Sequence, residues 1–358
     1  MEVNSTKPSK EVYVCQERLS FVFLVIGTVV ISLMMFIGAA GNYLVCFSMF
    51  KFSYLKRTLS NYLIFSLAVS DLMVCVSVLP LDIIYWLNFP HWTLGGYACN
   101  AWNSLFYTFL TASVMNLLII SGDRFIAIVY PLYYHTWVTF KVVNIAIMSV
   151  WFYAVATGVA LFLLLVPPDG EHYSFNLGQS EWFKQFLLIV NVLAPFVIMT
   201  GLYLKIYAIA RHHAQRINSS LSINSDDSSK TFRDTIIREV RLAKALGIII
   251  LCFVLCWLPY QIVSFLTLDE IIIEDCNVEI ADTVTCWFAY LNSAVNPVLY
   301  AYTHRDFKRA LRSLLCRRMT DNDDDLRTRS RSRSRTSTLD QRRCTPPQQD
   351  THNNSTKL

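Results

Sequence analysis

Residues 104–132 read SLFYTFLTASVMNLLIISGDRFIAIVYPL. From Ser104 to Gly122 no charged side chain occurs, and then Asp123 and Arg124 stand side by side. A helix needs about 20 apolar residues to cross roughly 30 Å of hydrocarbon. The stretch therefore reads as a membrane-spanning helix, and the acid–base pair marks where it meets water. Its other half, around Phe106 and Leu110, carries neither an acid nor a base.

Six further windows have the same character, so the spans are predicted at 19–47, 59–86, 102–128, 142–166, 183–209, 242–266 and 284–302. Composition agrees: 54% of the 358 residues are hydrophobic and 16% are charged. Soluble domains carry about 25% charge. The first apolar run is too long for a signal-peptide core and is expected to stay as the first helix. The fold class is all-α integral membrane, a bundle of seven transmembrane helices.

Lys and Arg in the short loops set the orientation. Lys51, Lys56 and Arg57 follow the first span, Arg124 and Lys141 the third, and Arg211, Arg216, Lys230, Arg233, Arg238 and Arg241 the fifth. The loops at 87–96, 166–182 and 267–282 have no Lys or Arg. The basic face is expected to be cytoplasmic, with residues 1–18 extracellular, the seven-helix body at 19–302 and the third cytoplasmic loop at 211–238. A plasma-membrane, multi-pass protein with its N-terminus outside follows. Asn4 heads a glycosylation sequon on the outer side. Residues 303–316 place Phe307, Ala310, Leu314 and Leu315 among bases, which predicts a short amphipathic helix on the cytoplasmic leaflet. Cys316 at its end is a palmitoylation candidate. Residues 317–358 are polar, with RTRSRSRSRTS, and read as a disordered tail open to kinases.

Ionisable groups inside a span default to function. Asp71 lies midway along the second span, and Asn42, Ser113, Asn292, Ser293 and Asn296 are candidates to converge on it. Such a set suits a sodium ion or a proton. Pro195, Pro259 and Pro297 interrupt three consecutive spans, each removing a backbone hydrogen bond and permitting a bend.

Read together, GN at 41–42, LAVSD at 67–71, DRF at 123–125, Trp151, Pro195 with Tyr203, CWLPY at 256–260 and NPVLY at 296–300 resemble the rhodopsin-like (class A) G protein-coupled receptors. The resemblance covers about residues 20–317 and implies a receptor rather than an enzyme. It implies that Arg124 is the switch, restrained by Asp123 and by Glu239, with Tyr203 and Tyr300 swinging in on activation. It also implies that Val114, Pro195 and Phe253 relay repacking from Trp257, and that the partners are a heterotrimeric G protein, arrestin and receptor kinases, with no nucleic acid. No cofactor is implied beyond a possible bound sodium ion.

Within that class the chain is similar to the biogenic-amine branch, through ASVMNLLIIS at 112–121 and WFAYLNSAVNPVLYAYTHRDFKRAL at 287–311. Tyr107, Tyr260 and Tyr290 match the aromatic cage of muscarinic acetylcholine receptors, which holds ammonium through cation–π contacts. Two departures stand out. The aspartate that amine receptors carry eighteen residues before the switch arginine is Phe106 here, and the fifth span offers Leu187, Leu188 and Asn191 instead of serines. The expected pocket is Asp82, Phe106, Tyr107, Leu110, Asn191, Trp257, Tyr260, Cys286 and Tyr290, binding a small extracellular ligand. Cys99 matches the family's disulfide cysteine, but the second outer loop holds none, so Cys15 and Cys276 are its candidate partners.

Two other readings remain. A constitutively active or ligand-independent receptor would use Phe106 and Leu110 to fill its own pocket. A channel or transporter would need a polar stripe through the bundle, where the sequence offers Asp71 and a few amides.

Overall fold

The computed structural model describes residues 21–89, 91–164, 183, 186, 187, 189–220, 247–249, 251–266 and 276–315. Its ordered elements are helices, as hydrocarbon demands: a backbone polar group without water must be satisfied within its own segment. Helix α1 is Phe21–Lys51, α2 is Ser60–Asn88 and α3 is Gly96–Val129. A short helix, α4, follows at Pro131–Trp137, then α5 at Phe140–Leu164. Helix α6 opens with a π-helical turn at Ile189–Leu193 and continues over Ala194–Ser220. Helix α7 is Gly247–Leu266, α8 is Cys276–Thr303 and α9 is Arg305–Leu315.

Among the described residues, α1, α2, α3, α5, α6 and α7 are long and apolar enough to cross a membrane. Helix α8 has 28 residues and so the necessary length at about 1.5 Å per residue. Its mean apolarity is lowered by Asn292, Ser293 and Asn296, all of which are buried. Each predicted window therefore contains helix.

The differences lie at the ends. Helix α3 begins at Gly96, six residues before the predicted window of 102–128, and ends at Val129, one residue after it. The surface helix expected at 303–316 is Arg305–Leu315, and α4 was not anticipated. The expectations at Asn4, Cys15, Glu239 and Cys316, the side chain of Cys276, the segments 1–18 and 317–358, and residues 221–238 of the loop lie outside the described residues.

Helix α3 is the hub: it packs against α2, α5 and α6, while α8 packs against α1 and α2. In its most apolar stretch 61% of the residues are buried, against 17% for α1. Helix α1 shows why. It turns Val22, Val25, Val29, Leu33 and Phe36 outward, where lipid would meet them, and Gly38, Asn42, Val45 and Met49 inward. In a membrane the apolar residues can face out and the small and polar ones hold helices together. The bundle lies within residues 1–308, one of the two units into which the chain divides; of the other, 309–358, the structure describes the last residues of α9.

Candidate functional site

Three sets of side chains occupy the interior, one at each end of α3 and one between them. The middle set surrounds Asp71, which is fully buried. Ser113 Oγ on α3 and Ser293 Oγ on α8 donate to Asp71 Oδ1 at 3.2 and 3.0 Å, and Asn296 Nδ2 donates to Oδ2 at 2.7 Å. Asn42 Nδ2 on α1 donates to the Ser293 carbonyl at 2.9 Å, which fixes that turn of α8. Three helices thus meet on one carboxylate, and α1 joins them through the Ser293 carbonyl. Asn292, expected in the same set, lines the neighbouring cavity instead.

At the basic face, Arg124 Nε donates to Asp123 Oδ2 at 2.9 Å. Ser60 Oγ, at the start of α2, donates to the same oxygen at 2.8 Å and is also met by the Arg124 guanidinium. Tyr134 OH, on α4, donates to Asp123 Oδ1 at 2.8 Å. Burial and the Asp123 charge push the Tyr134 phenol above its ordinary value, so it stays a donor. Ser60 and Tyr134 were not legible in the sequence as partners of the pair. Serine and tyrosine are common, and nothing in their spacing points across helices.

The other switch candidates are placed as follows. Tyr300 is 1% exposed, its hydroxyl has no hydrogen-bond partner among the described residues, and its ring stands against His304 and Phe307. Tyr203 on α6 lies against Gly247 on α7, so closely that a Cβ on Gly247 would collide with its phenol ring. Val114, Pro195 and Phe253 are all buried, and Phe253 lies 6.3 Å from Trp257.

The remaining end of the bundle is aromatic. Phe106 meets Tyr290 edge-on at 5.7 Å and Trp257 at 6.4 Å, and Trp257 meets Tyr260 at 6.2 Å. Between Phe106, Leu110, Trp257 and Tyr290 on one side and Ser113, Asn292 and Ser293 on the other is a cavity of about 10 Å³. That is roughly the room of one water. Asp82, Tyr107, Asn191, Tyr260 and Cys286, all expected in the pocket, are not on its lining. Tyr107 packs instead on Leu161, Phe183 and Leu187. Asn191 accepts a hydrogen bond from Tyr153 OH on α5 at 2.6 Å, and its own Nδ2 has no partner among the described residues. Asp82 is 6% exposed, and among the described residues its Oδ2 likewise has no partner. Cys99 is buried at the start of α3.

A family model described as "7 transmembrane receptor (rhodopsin family)" matches residues 41–300, which span Asn42, Asp71, Arg124 and Tyr300. The chain belongs to that family. Membership makes it a receptor, not an enzyme, and a multi-pass protein of the cell membrane. The receptor is 31% identical over 299 residues to the histamine H2 receptor of Homo sapiens, covering 82% of this chain and 80% of the relative. It is 29% identical over 337 residues to the alpha-1A adrenergic receptor of Oryzias latipes, covering 86% of this chain and 71% of the relative. The alpha-1A adrenergic receptor of Bos taurus is 28% identical over 320 residues. These relatives set the receptor in the biogenic-amine branch.

Proposed function

We propose that the receptor binds a small extracellular ligand among the non-basic halves of its helices and answers by activating a heterotrimeric G protein at its basic face. The observation that carries this is the Arg124 network: a guanidinium held by Asp123 and Ser60 at the end of the hub helix, with Tyr134 reaching in from α4. Such a charge is restrained by a few hydrogen bonds and can be released by a small movement of helices, the kind of two-state element that a ligand biases through unequal affinity. The test is nucleotide exchange on G protein in membranes carrying the receptor. Arg124→Ala should abolish it at unchanged surface level, and full exchange by that variant would overturn the assignment.

The orientation with the N-terminus outside belongs to this reading, supported by the bases gathered at one face. So do the pocket's departure from other amine receptors, through Phe106, and the roles of Glu239, Tyr203 and Tyr300. Glycosylation at Asn4, palmitoylation at Cys316, a disulfide from Cys99 to Cys15 or Cys276, and engagement of arrestin and kinases by the tail extend it.

The Asp71 cluster fits a sodium ion. Its carboxylate and two hydroxyls are hard oxygen ligands from three helices once the hydroxyls turn their lone pairs inward, and the Asn296 amide N–H holds the carboxylate in place. The ion's positive charge would offset that of the buried carboxylate and hold α2, α3 and α8 in the resting arrangement.

A second reading is favoured by the small central cavity. Phe106 and Leu110 fill the space a ligand would take, as a receptor that signals without one requires. Phe106→Ala should then lower basal exchange; unchanged basal exchange argues for ligand control.

A further inference from the structure

We propose that the receptor takes the ammonium group of a small amine between α2 and α8, with Asp82 as its counter-ion, in place of the position on α3 that Phe106 occupies. The inference rests on the receptor reading above and names the chemical class of its ligand. It starts from a group that has no use in the resting structure. Asp82 is 94% buried by its 6% exposure, and its Oδ2 has no hydrogen-bond partner among the described residues. A buried carboxylate oxygen left without a donor or a cation is costly. In a membrane such a group is a functional site by default, its partner to be named.

The surroundings name the partner. One helical turn beyond Asp82 on the same face is Trp86. Trp86 meets Trp287 of α8 edge-on at 5.8 Å. Trp287 can lie there because Gly27 on α1 has no side chain: a Cβ would come within 2.7 Å of the indole. Cys286 and Tyr290 on α8 lie within electrostatic reach of the Asp82 carboxylate. A carboxylate with tryptophan and tyrosine side chains close by is suited to an ammonium ion, which gains from both the charge and aromatic neighbours. Phe106, in contrast, packs edge-on against Tyr290, and the stretch of α3 from Gly96 to Gly122 carries no acid to compete.

Asn191 suggests how the rest of the ligand is read. With its oxygen taken by Tyr153, its free Nδ2 offers a donor on α6. An amine whose far end bears a hydrogen-bond acceptor would use both.

The experiment uses the full-length receptor in detergent and reads ligand-dependent thermal stabilisation, which needs no G protein. The probes are 2-phenylethylamine and tetramethylammonium, with 2-phenylethanol as the uncharged counterpart. The amines should raise the melting temperature in a saturable way and the alcohol should not. Asp82→Asn should weaken amine binding at least tenfold, while Arg124→Ala should leave it unchanged and abolish only nucleotide exchange. Equal binding of amine and alcohol, no amine-specific stabilisation, or full amine binding by Asp82→Asn would overturn the proposal. Should Asp82→Asn not fold, Asp82→Ser takes its place with the same tenfold loss expected, and full amine binding by that variant would overturn the proposal. Loss of exchange without loss of amine binding separates this claim from the switch assignment.

Discussion

Ser60 and Asp123, on different helices and sixty-three positions apart, are joined by a hydrogen bond of 2.8 Å. The serine also meets the Arg124 guanidinium, so one hydroxyl touches both members of the acid–base pair. Hydrogen bonds to charged groups are worth about 1.5–3 kcal/mol. Ser60→Ala should therefore free part of the restraint, raising basal nucleotide exchange severalfold and lowering thermal stability. Basal exchange at the unaltered level, at equal surface density, would show that the serine does not hold the switch.

Tyr134 makes the second contact to the aspartate, at Oδ1. Tyr134→Phe removes only the hydroxyl. Basal exchange should rise, though less than in Asp123→Asn, which disturbs every bond to the carboxylate. The phenol, held above its ordinary value, does not ionise between pH 6 and 9, so this increment should be flat across that range. A pH-dependent increment would point to another group.

Gly247 and Tyr203 form a close pair between α7 and α6. Gly247→Ala should displace the Tyr203 ring and destabilise the receptor by about 1–3 kcal/mol, the usual range for overpacking. Tyr203→Ala made in the same chain should remove most of that cost. A double-variant cycle that is simply additive would mean that the ring does not rest on the glycine.

Sodium dependence tests the Asp71 cluster. In the unaltered receptor, sodium chloride should raise the melting temperature more than choline chloride at equal ionic strength. Asp71→Asn should abolish the difference. If the difference survives that substitution, the ion sits elsewhere.

His304, between α8 and α9, has its imidazole pushed down to about 4 by burial and by the Arg124 charge. The native state thus prefers the neutral ring, while the unfolded chain binds a proton near pH 6.5. Stability from this group is full above pH 6.5 and falls as the pH drops toward 4. His304→Gln should lose less melting temperature between pH 6.5 and 5 than the unaltered receptor does. Parallel pH curves for the two would contradict the assignment.

The spans were readable because hydrocarbon imposes one rule on every residue of a helix, and the rule leaves a long uncharged run. The ends were less so. Helix α3 starts at Gly96, six residues before its predicted window, because apolarity marks the hydrocarbon and not the helix, whose backbone bonds continue into water. Convergence on Asp71 could be anticipated, since each partner is a polar residue in an oily run. Ser60 and Tyr134 could not, because both lie at the watery margin where polar residues are ordinary. The pocket was the least legible part. Residues such as Tyr107 and Asn191 were expected to share a cavity, and their packing against α5 depends on how helices rotate about their axes, which residue type alone does not specify.

The ring of Phe106 has a consequence for any ligand that enters. It already touches Trp257 on α7 and Tyr290 on α8, so three helices are tied through one side chain at rest. A newcomer in this region therefore exchanges contacts instead of adding them, and its observed affinity is its intrinsic affinity reduced by the rarity of the opened arrangement. Resting tone and ligand potency are then two readings of the same equilibrium, and neither can be tuned at position 106 without moving the other.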